Sequence, residues 1–96
     1  MVRRAEKIQD ILDRTLQQLG LAERMKEADV VRRFSEIVGD NIAARAEAVS
    51  IRDGKLVVKV ASPVWRQELN YSKQEIIDAL NRALSDDIVT DIHFVG

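Results

Sequence analysis

The sequence predicts an α+β fold in which helices cover one face of a small, mixed, three-stranded sheet. Two observations support this prediction: a β-hairpin signal at Asp53-Gly54 near the middle of the chain, and helical apolar periodicity on both sides of it. The elements follow in the order helix, helix, strand, strand, helix, strand. A final strand–helix–strand crossover is expected to be right-handed and to return the third strand to the same sheet. We expect residues 1–96 to form a single domain.

The composition excludes several classes of protein. Hydrophobic residues make up 46% and charged residues 32% of the chain, which is typical of a folded globular domain. There are no cysteines, so disulfides, thiolate zinc sites and cysteine nucleophiles are excluded, and a cytoplasmic location is expected. No stretch approaches the roughly 20 apolar residues of a membrane helix, and the N-terminus has no apolar signal region.

Two helices are predicted before the hairpin. In the first segment, which we expect to be peripheral to the domain, apolar side chains recur every three or four residues up to Gly20, a suitable C′ residue. These residues are Ile8, Ile11, Leu12, Thr15, Leu16 and Leu19. Asp29 can cap a second helix that ends at Gly39, and Asp40 can cap a short turn after it. The apolar side of the second helix consists of Val30, Val31, Phe34, Ile37 and Val38, and the short turn contains Ile42 and Ala43.

The hairpin is the strongest local signal in the chain. Asp53-Gly54 lies between the β-prone segments VSIR and KLVVKVA, and it favours a type I′ turn because both central residues need a positive φ. With Arg52 opposite Lys55, Ile51 faces Leu56 and Val49 faces Val58, so these residues and Val60 form the predicted buried side. The other side is more polar and basic and consists of Ser50, Arg52, Lys55, Val57 and Lys59.

One long helix and one strand complete the predicted fold. Ser62 as N-cap and Pro63 as first helical residue start a helix that runs to about Leu84. Its apolar stripe contains Trp65, Leu69, Ile76, Leu80, Ala83 and Leu84, with Tyr71 and Ile77 at the border. Asp86-Asp87 ends it. The segment IVTDIHFV then predicts a strand with Ile88, Thr90, Ile92 and Phe94 on one face.

No motif of this chain indicates an enzyme. His93 is the only histidine, so a zinc site lacks ligands, and we interpret His93 as a partly exposed strand residue that can pair weakly with Asp91. No serine has a partner base nearby in the sequence, and no GxxxxGK[ST] or GxGxxG phosphate loop occurs. We therefore expect neither catalytic residues, nor a metal, nor a cofactor, nor a small-molecule substrate.

Basic residues are concentrated towards the N-terminal part of the chain. Residues 1–66 contain 13 Lys or Arg and 10 Asp or Glu, whereas residues 67–96 contain 2 and 6, and the formal net charge is -1. A basic hairpin face can contact a nucleic-acid backbone, although it carries no aromatic residue for base stacking. The alternative is a solvated surface whose lysines protect the sheet. The candidate nucleic-acid-binding residues are Arg52, Lys55 and Lys59 on the hairpin and Arg3, Arg4 and Lys7 at the N-terminus.

Trp65 is the only tryptophan, and the sequence leaves two roles open for it. It can close the seam between helix and sheet, or it can anchor a partner, because Trp and Arg are enriched at interface hot spots. The neighbouring Arg66 fits either role.

The stretch from Phe34 to Phe94 resembles the DciA family of bacterial proteins. The family pattern has an aromatic residue and a valine-glycine pair, then "dG-L-v-V", "s-x-x-W-x-x-E-L", "k-x-x-i-x-x-x-L-N" and a final "v-x-x-I-x-F". The matching positions are Phe34, Val38, Gly39, Asp53, Gly54, Leu56, Val58, Ser62, Trp65, Glu68, Leu69, Lys73, Ile76 or Ile77, Leu80, Asn81, Val89, Ile92 and Phe94. They span about two thirds of the chain.

This resemblance implies a KH-like domain with a role in DNA replication. Proteins of this family are associated with the DnaB-type replicative helicase and help to place it on single-stranded DNA without being ATPases. DNA itself, single-stranded or duplex, is then expected to bind weakly. The alternatives are a stand-alone KH-like module that binds RNA or single-stranded DNA, for which the GxxG loop is absent, and a structural interaction domain. No membrane partner is expected.

Three polar positions of the family pattern need an explanation of their own. Glu68 can reach an unpaired N–H or pair loosely with Lys73, and Asn81 can bind a loop backbone. Contact with a protein partner is the alternative for each of them. The candidate partner-binding residues are Trp65, Arg66, Glu68 and Lys73.

Overall fold

The computed structural model describes the backbone of residues 2–18 and 20–96, and within the first helix it describes the side chains of residues 7–15 and 18. This part of the chain contains five helices and three strands, which confirms the predicted α+β fold. The elements are α1 (Val2–Gln18), α2 (Leu21–Val38), α3 (Asp40–Ala43), β1 (Glu47–Arg52), β2 (Lys55–Lys59), α4 (Pro63–Tyr71), α5 (Lys73–Leu84) and β3 (Asp91–Val95). The order is compatible with a KH-like description.

The hairpin turn forms where the sequence predicts it. Asp53 has φ 51° and Gly54 has φ 82°, so both central residues adopt the positive φ that a type I′ turn needs. Arg52 pairs with Lys55 and Ile51 with Leu56, as predicted. The turn is also fixed from outside, because the backbone N–H of Gly54 donates to Glu27 Oε2 of α2 at 3.1 Å.

The predicted partner of Val49 is wrong because β1 contains a bulge. Val58 pairs with Ala48 and Val57 pairs with Ser50, so Val49 is the additional residue of the bulged strand. Val49 therefore leaves the buried side and is 52% exposed.

The sheet has the order β1-β2-β3, with β1 and β2 antiparallel and β2 and β3 parallel. Along β2, Leu56 and Val58 are fully buried, whereas Lys55 and Lys59 are exposed and Val57 is half-buried. The helices therefore cover one face of the sheet, and the other face is open. The core consists of Val30, Phe34, Ala46, Leu56, Val58, Val60, Leu69, Ile76, Ile77, Leu80, Ile88, Val89 and Ile92.

Helix α2 starts eight residues before the predicted cap, Asp29. Gly20 adopts a left-handed conformation with φ 69°, and its carbonyl accepts the first helical hydrogen bond from Arg24 at 3.1 Å. The residues between Leu21 and Asp29 are mostly strong helix formers, so nothing delays helix formation. Asp29 lies inside the helix, where Oδ1 accepts a hydrogen bond from Arg32 at 2.6 Å. The predicted end at Gly39 is confirmed, and the short α3 follows, with Gly39 rather than Asp40 at its cap.

The predicted helix from Pro63 to Leu84 is broken into two at Ser72. Its start is as predicted, since Pro63 is the first helical residue and the Ser62 hydroxyl accepts a hydrogen bond from the Trp65 N–H at 3.3 Å. At the break, the Ser72 N–H donates to Leu69 O at 3.1 Å, which ends α4. A straight helix of this length would reach about 33 Å. Five-residue strands are only about 17 Å long, so two shorter helices fit this sheet better.

Strand β3 is shorter than predicted and begins at Asp91. Ile88 and Ile92 are buried as expected, but Thr90 is exposed and precedes the strand. The Thr90 N–H donates to Gly54 O at 2.8 Å, so this residue belongs to the packing around the hairpin turn. In the described part of the chain, no helix is long and apolar enough to cross a bilayer.

Candidate nucleic-acid interface

The open face of the sheet brings the three predicted basic hairpin residues together. Arg52, Lys55 and Asp91 form one row across the strands, because Arg52 pairs with Lys55 and Lys55 with Asp91. The remaining open-face positions form a second row of Ser50, Val57 and His93 and a third of Glu47, Lys59 and Val95. Both lysines, Arg52 and His93 are exposed, so their charged or polar atoms are accessible to a ligand.

Two carboxylates reduce the positive charge of this face. Glu47 stands opposite Lys59, and Asp91 stands beside Lys55. Lys73 reaches Asp91 from the start of α5, with 3.1 Å between Nζ and Oδ1. The hydrogen bond from Lys73 holds the pKa of Asp91 below its ordinary value, with help from the Ile92 N–H and from the charges of Lys73 and Lys55. The predicted pair of Asp91 with His93 is therefore wrong, since Asp91 binds Lys73.

Phosphate contact is the chemistry that this face can offer. Lysine and arginine side chains can track a backbone, and a face with both signs of charge favours modest, salt-dependent affinity. None of the open-face residues named above is Phe, Tyr or Trp, so base stacking has no platform there.

Of the predicted N-terminal basic residues, Lys7 does not extend the open face. Lys7 is exposed on α1, which contacts mainly the adjacent helix α2 and not the sheet. The side chains of Arg3 and Arg4 lie outside the described residues. Lys7 is thus a separate candidate from the hairpin residues.

The structure uses Trp65 and Arg66 for internal contacts. The Trp65 ring is half-buried against the core, and the Arg45 guanidinium lies 4.1 Å from its centroid. Arg45 is itself held by Asn41, whose side-chain oxygen accepts a hydrogen bond from Arg45 Nη1 at 2.8 Å. Arg66 Nη1 donates to the carbonyl of Val60 at 2.6 Å, which braces the connection between β2 and α4.

The other two partner-binding candidates have different surroundings. Lys73 is half-buried and paired with Asp91, so the loose pair of Glu68 with Lys73 does not form. Glu68 is exposed on α4. Val64 and Tyr71 lie four residues before and three residues after it, on the same side of the helix, and are 70% and 80% exposed.

Val64 and Tyr71 are surface residues that the sequence pattern was not used to predict. The predicted position of Tyr71 at the border of the core stripe is wrong, because two residues of helix place Tyr71 on the opposite side from Leu69. Val64, Glu68 and Tyr71 are four and three residues apart, which places them on one side of a helix. A row of two apolar residues with a carboxylate between them is the sequence signal for this surface. We call these three residues the α4 outer face.

Asn81 has the structural role that the sequence predicted. Its Nδ2 donates to Val89 O and its Oδ1 accepts from the Val89 N–H, both at 2.9 Å. The side chain thereby satisfies both backbone groups of a buried residue. Within residues 2–18 and 20–96, no group of three or more His, Asp or Glu side chains is placed to hold a metal ion.

A model of the DciA family, described as "Dna[CI] antecedent, DciA", matches residues 7–94. A UPF0232 protein of Rhodococcus jostii is 32% identical over 79 residues, which cover 82% of this chain and 42% of that protein. An uncharacterized protein of Treponema pallidum is 38% identical over 76 residues, or 79% of this chain and 52% of that one. A UPF0232 protein of Corynebacterium glutamicum is 25% identical over 95 residues, or 99% and 53%. The chain spans about half the length of the curated relatives it matches.

Proposed function

The chain belongs to the DciA family, and from this premise we propose that it binds a DnaB-type replicative helicase and assists its loading onto single-stranded DNA in the bacterial cytoplasm. The observation that carries the proposal is the family match over residues 7–94, which includes every element from α2 to α5 and most of α1 and β3. In this proposal the chain is not an enzyme. It supplies surfaces, and the helicase supplies the chemistry.

The α4 outer face is the surface that we assign to the helicase. Its two apolar side chains, Val64 and Tyr71, are more exposed than most large hydrophobic residues of the described chain. Interfaces are enriched in aromatic anchors that become buried in a pocket of the partner, and Tyr71 has this character. Glu68 adds a charge between them. Trp65 and Arg66 then hold α4 against the core and do not contact the partner.

The open sheet face is the surface that we assign to DNA. It lies on the side of the sheet away from α2 and α5, and its basic residues Arg52, Lys55 and Lys59 are exposed. Because two carboxylates share this face, we expect DNA contact to be weak and to decrease steeply with salt.

The helicase contact is tested by measuring binding of the purified chain to the cognate helicase by titration calorimetry. We expect micromolar or tighter binding for the wild type and a loss of about 30-fold for Tyr71→Ala, a hot-spot value. Val49→Ala is the matched control, because Val49 is also an exposed apolar residue but lies in the β1 bulge. Absence of helicase binding by the wild type contradicts the proposed function. Equal effects of both variants contradict only the assignment of the surface.

The DNA contact is tested with labelled single-stranded DNA at about 50 and 200 mM salt, a range over which phosphate contacts weaken strongly. The double variant Lys55→Glu/Lys59→Glu should lose both its affinity and its salt dependence. Arg82→Glu is the control, since it reverses an exposed charge on α5 in the helical layer. Unchanged DNA binding by the double variant removes the open face from the proposal.

The same measurements separate the second candidate function, a stand-alone binder of RNA or single-stranded DNA. The clustering of Arg52, Lys55 and Lys59 on one accessible face is the observation that favours it. Tight nucleic-acid binding by a chain that does not bind helicase would select this alternative.

A further inference from the structure

A groove opens beside the start of β1 and the end of β2, and no part of the proposed function uses it. Its volume is about 580 Å³, which lies within the range of about 300–1,000 Å³ that ligand sites in proteins have. Helix α2 lines it with Val31, Phe34 and Ser35, and the chain that leads from α3 into β1 lines it with residues 43–48. The end of β2 completes the lining with Lys59.

Arg45 lines this groove, and the fold holds its guanidinium in place. Nη1 donates to the carbonyl oxygen of Asn41 at 2.9 Å and to the side-chain oxygen of Asn41 at 2.8 Å. The guanidinium lies 4.1 Å from the centroid of the Trp65 ring, and the Arg45 backbone N–H donates to Ile42 O at 2.9 Å. Arg45 is still exposed, so its remaining donors are accessible from the groove. A guanidinium fixed in this way loses little freedom when it binds an anion.

Lys59 gives the groove a second positive charge and connects it with the open face of the sheet. It lines the groove, and it also stands in the open-face row with Glu47 and Val95. None of the ion pairs among the described residues includes Arg45 or Lys59. Glu47 is the only carboxylate among the lining residues, so two cations face one anion. The groove is therefore a basic continuation of the open face.

We propose that this groove is a binding site for single-stranded DNA, in which Arg45 and Lys59 contact phosphates of the backbone. The inference rests on the DNA contact of the proposed function and extends that contact from the open face into a defined site. Positively charged grooves that follow the backbone are typical of proteins that bind single strands. A groove of this volume has room for part of one strand, whereas a duplex has to stay outside it.

The groove also supplies a stacking surface, which the open face lacks. Bases of single strands stack on guanidinium planes as well as on aromatic rings, and Trp65 supports the Arg45 guanidinium from one side. The neighbouring lining residues are small and leave space for a sugar and a base. They are Ala43, Ala44, Ala46, Ala48 and Ala61.

The fluorescence of Trp65 tests whether DNA enters the groove, because Trp65 is the only tryptophan of the chain. The wild type is titrated with an oligothymidylate of about 12 nucleotides at about 50 mM salt, and binding of the labelled oligonucleotide is followed in parallel by anisotropy. Saturation should change the Trp65 emission, and a duplex of the same length should change it less. Lys55→Ala should bind DNA more weakly but keep the emission change at saturation, because Lys55 does not line the groove.

Substitutions of the two cations test their contacts with DNA. Arg45→Ala and Lys59→Ala should each weaken binding of the oligothymidylate about tenfold, and Arg45→Lys should recover only part of the loss because it lacks the planar fork. Arg32→Ala is the matched control. It removes the same charge from an exposed position of α2 that does not line the groove, and its affinity should change less than about twofold. Thermal unfolding checks that each variant is folded, and Lys59→Ala tests the groove even if Arg45→Ala is unstable.

Four results would overturn the inference. They are an unchanged Trp65 emission when DNA is saturating, DNA binding by Arg45→Ala and Lys59→Ala that is as tight as that of Arg32→Ala, tighter binding of oligouridylate than of oligothymidylate, and an emission change that only the helicase produces. Helicase binding is measured separately. A chain that does not bind helicase but shows the Arg45 effect loses the proposed function and keeps this site, whereas helicase binding without an Arg45 effect contradicts this site alone.

Discussion

Helices α1 and α5 are both amphipathic, but only α5 buries its apolar side. Ile76, Ile77 and Leu80 of α5 are 5%, 6% and 0% exposed, whereas Ile8, Ile11 and Leu12 of α1 are each more than half exposed. The apolar spacing in the sequence is similar in the two segments. Periodicity therefore predicts that a helix has an apolar side, but the partner of that side depends on how the helix is connected.

Polar contacts at both ends hold α5 on the sheet. At its start Lys73 binds Asp91, and at its end Asn81 binds the backbone of Val89. Helix α1 is joined to α2 at Gly20, and its described side chains bond only within the helix, as in the contact of Gln9 with Asp13. Substitutions at matched positions in the two regions test this contrast.

Leu80→Ala should destabilise the domain by about 2–5 kcal/mol, because it empties a fully buried position under the sheet. Leu12→Ala removes the same atoms from α1 and should change the free energy of unfolding by about 0.5 kcal/mol or less. Urea denaturation measures both. Similar losses for the two variants would mean that α1 is packed against the domain.

Gly54→Ala should lower the free energy of unfolding by about 1–3 kcal/mol, because Gly54 has a positive φ and a Cβ there would meet neighbouring atoms. A Cβ on Gly54 would lie 2.6 Å from Thr90 Oγ1, next to the loop that follows α5. Gly20→Ala is the control at the α1 junction, where φ is also positive but no atom lies within 4 Å of the new Cβ. Thermal unfolding should show the larger loss for Gly54→Ala. Equal losses would mean that only the dihedral angle matters.

Asn81→Ala should destabilise the domain by about 1–2 kcal/mol, because it removes two hydrogen bonds and leaves the backbone of Val89 without these partners. Arg82→Ala is the neighbouring control, since Arg82 is exposed. Hydrogen exchange of the Val89 amide should accelerate in Asn81→Ala only. An unchanged exchange rate would show that Asn81 does not hold this loop.

Asp91→Asn should weaken the pH dependence of stability in acid. Because the folded-state pKa of Asp91 lies below its ordinary value of 3.8, its contribution is present above pH 3.8 and is lost as the pH falls through the lowered value. Urea midpoints measured from neutral pH down to about pH 2.5 should therefore fall less steeply in the variant than in the wild type. Lys73→Met removes the ion pair by changing the partner of Asp91, so stability should depend less on pH over the same acidic range. A flat curve in Asp91→Asn alone would point to a different partner of Asp91.

Much of the candidate site was accessible from the sequence, because it depends on a local turn. Asp53-Gly54 determines the hairpin register next to the turn, and that register places Arg52 and Lys55 side by side on the open face. The neutralising role of Asp91 was not accessible in this way. It requires the parallel pairing of β3 with β2 and the reach of Lys73, which are separated along the chain.

Local sequence patterns were enough to predict the element types, the hairpin turn, the Ser62-Pro63 helix start and the alternation that buries Leu56 and Val58, because these depend on neighbours a few residues apart. The bulge at Val49, the break at Ser72 and the exposure of Ile8, Ile11 and Leu12 on α1 arise from the tertiary structure. Each of these depends on whether a distant surface is available to cover an apolar side chain. Local periodicity specifies which side chains need cover, and only the assembled domain specifies which of them receive it.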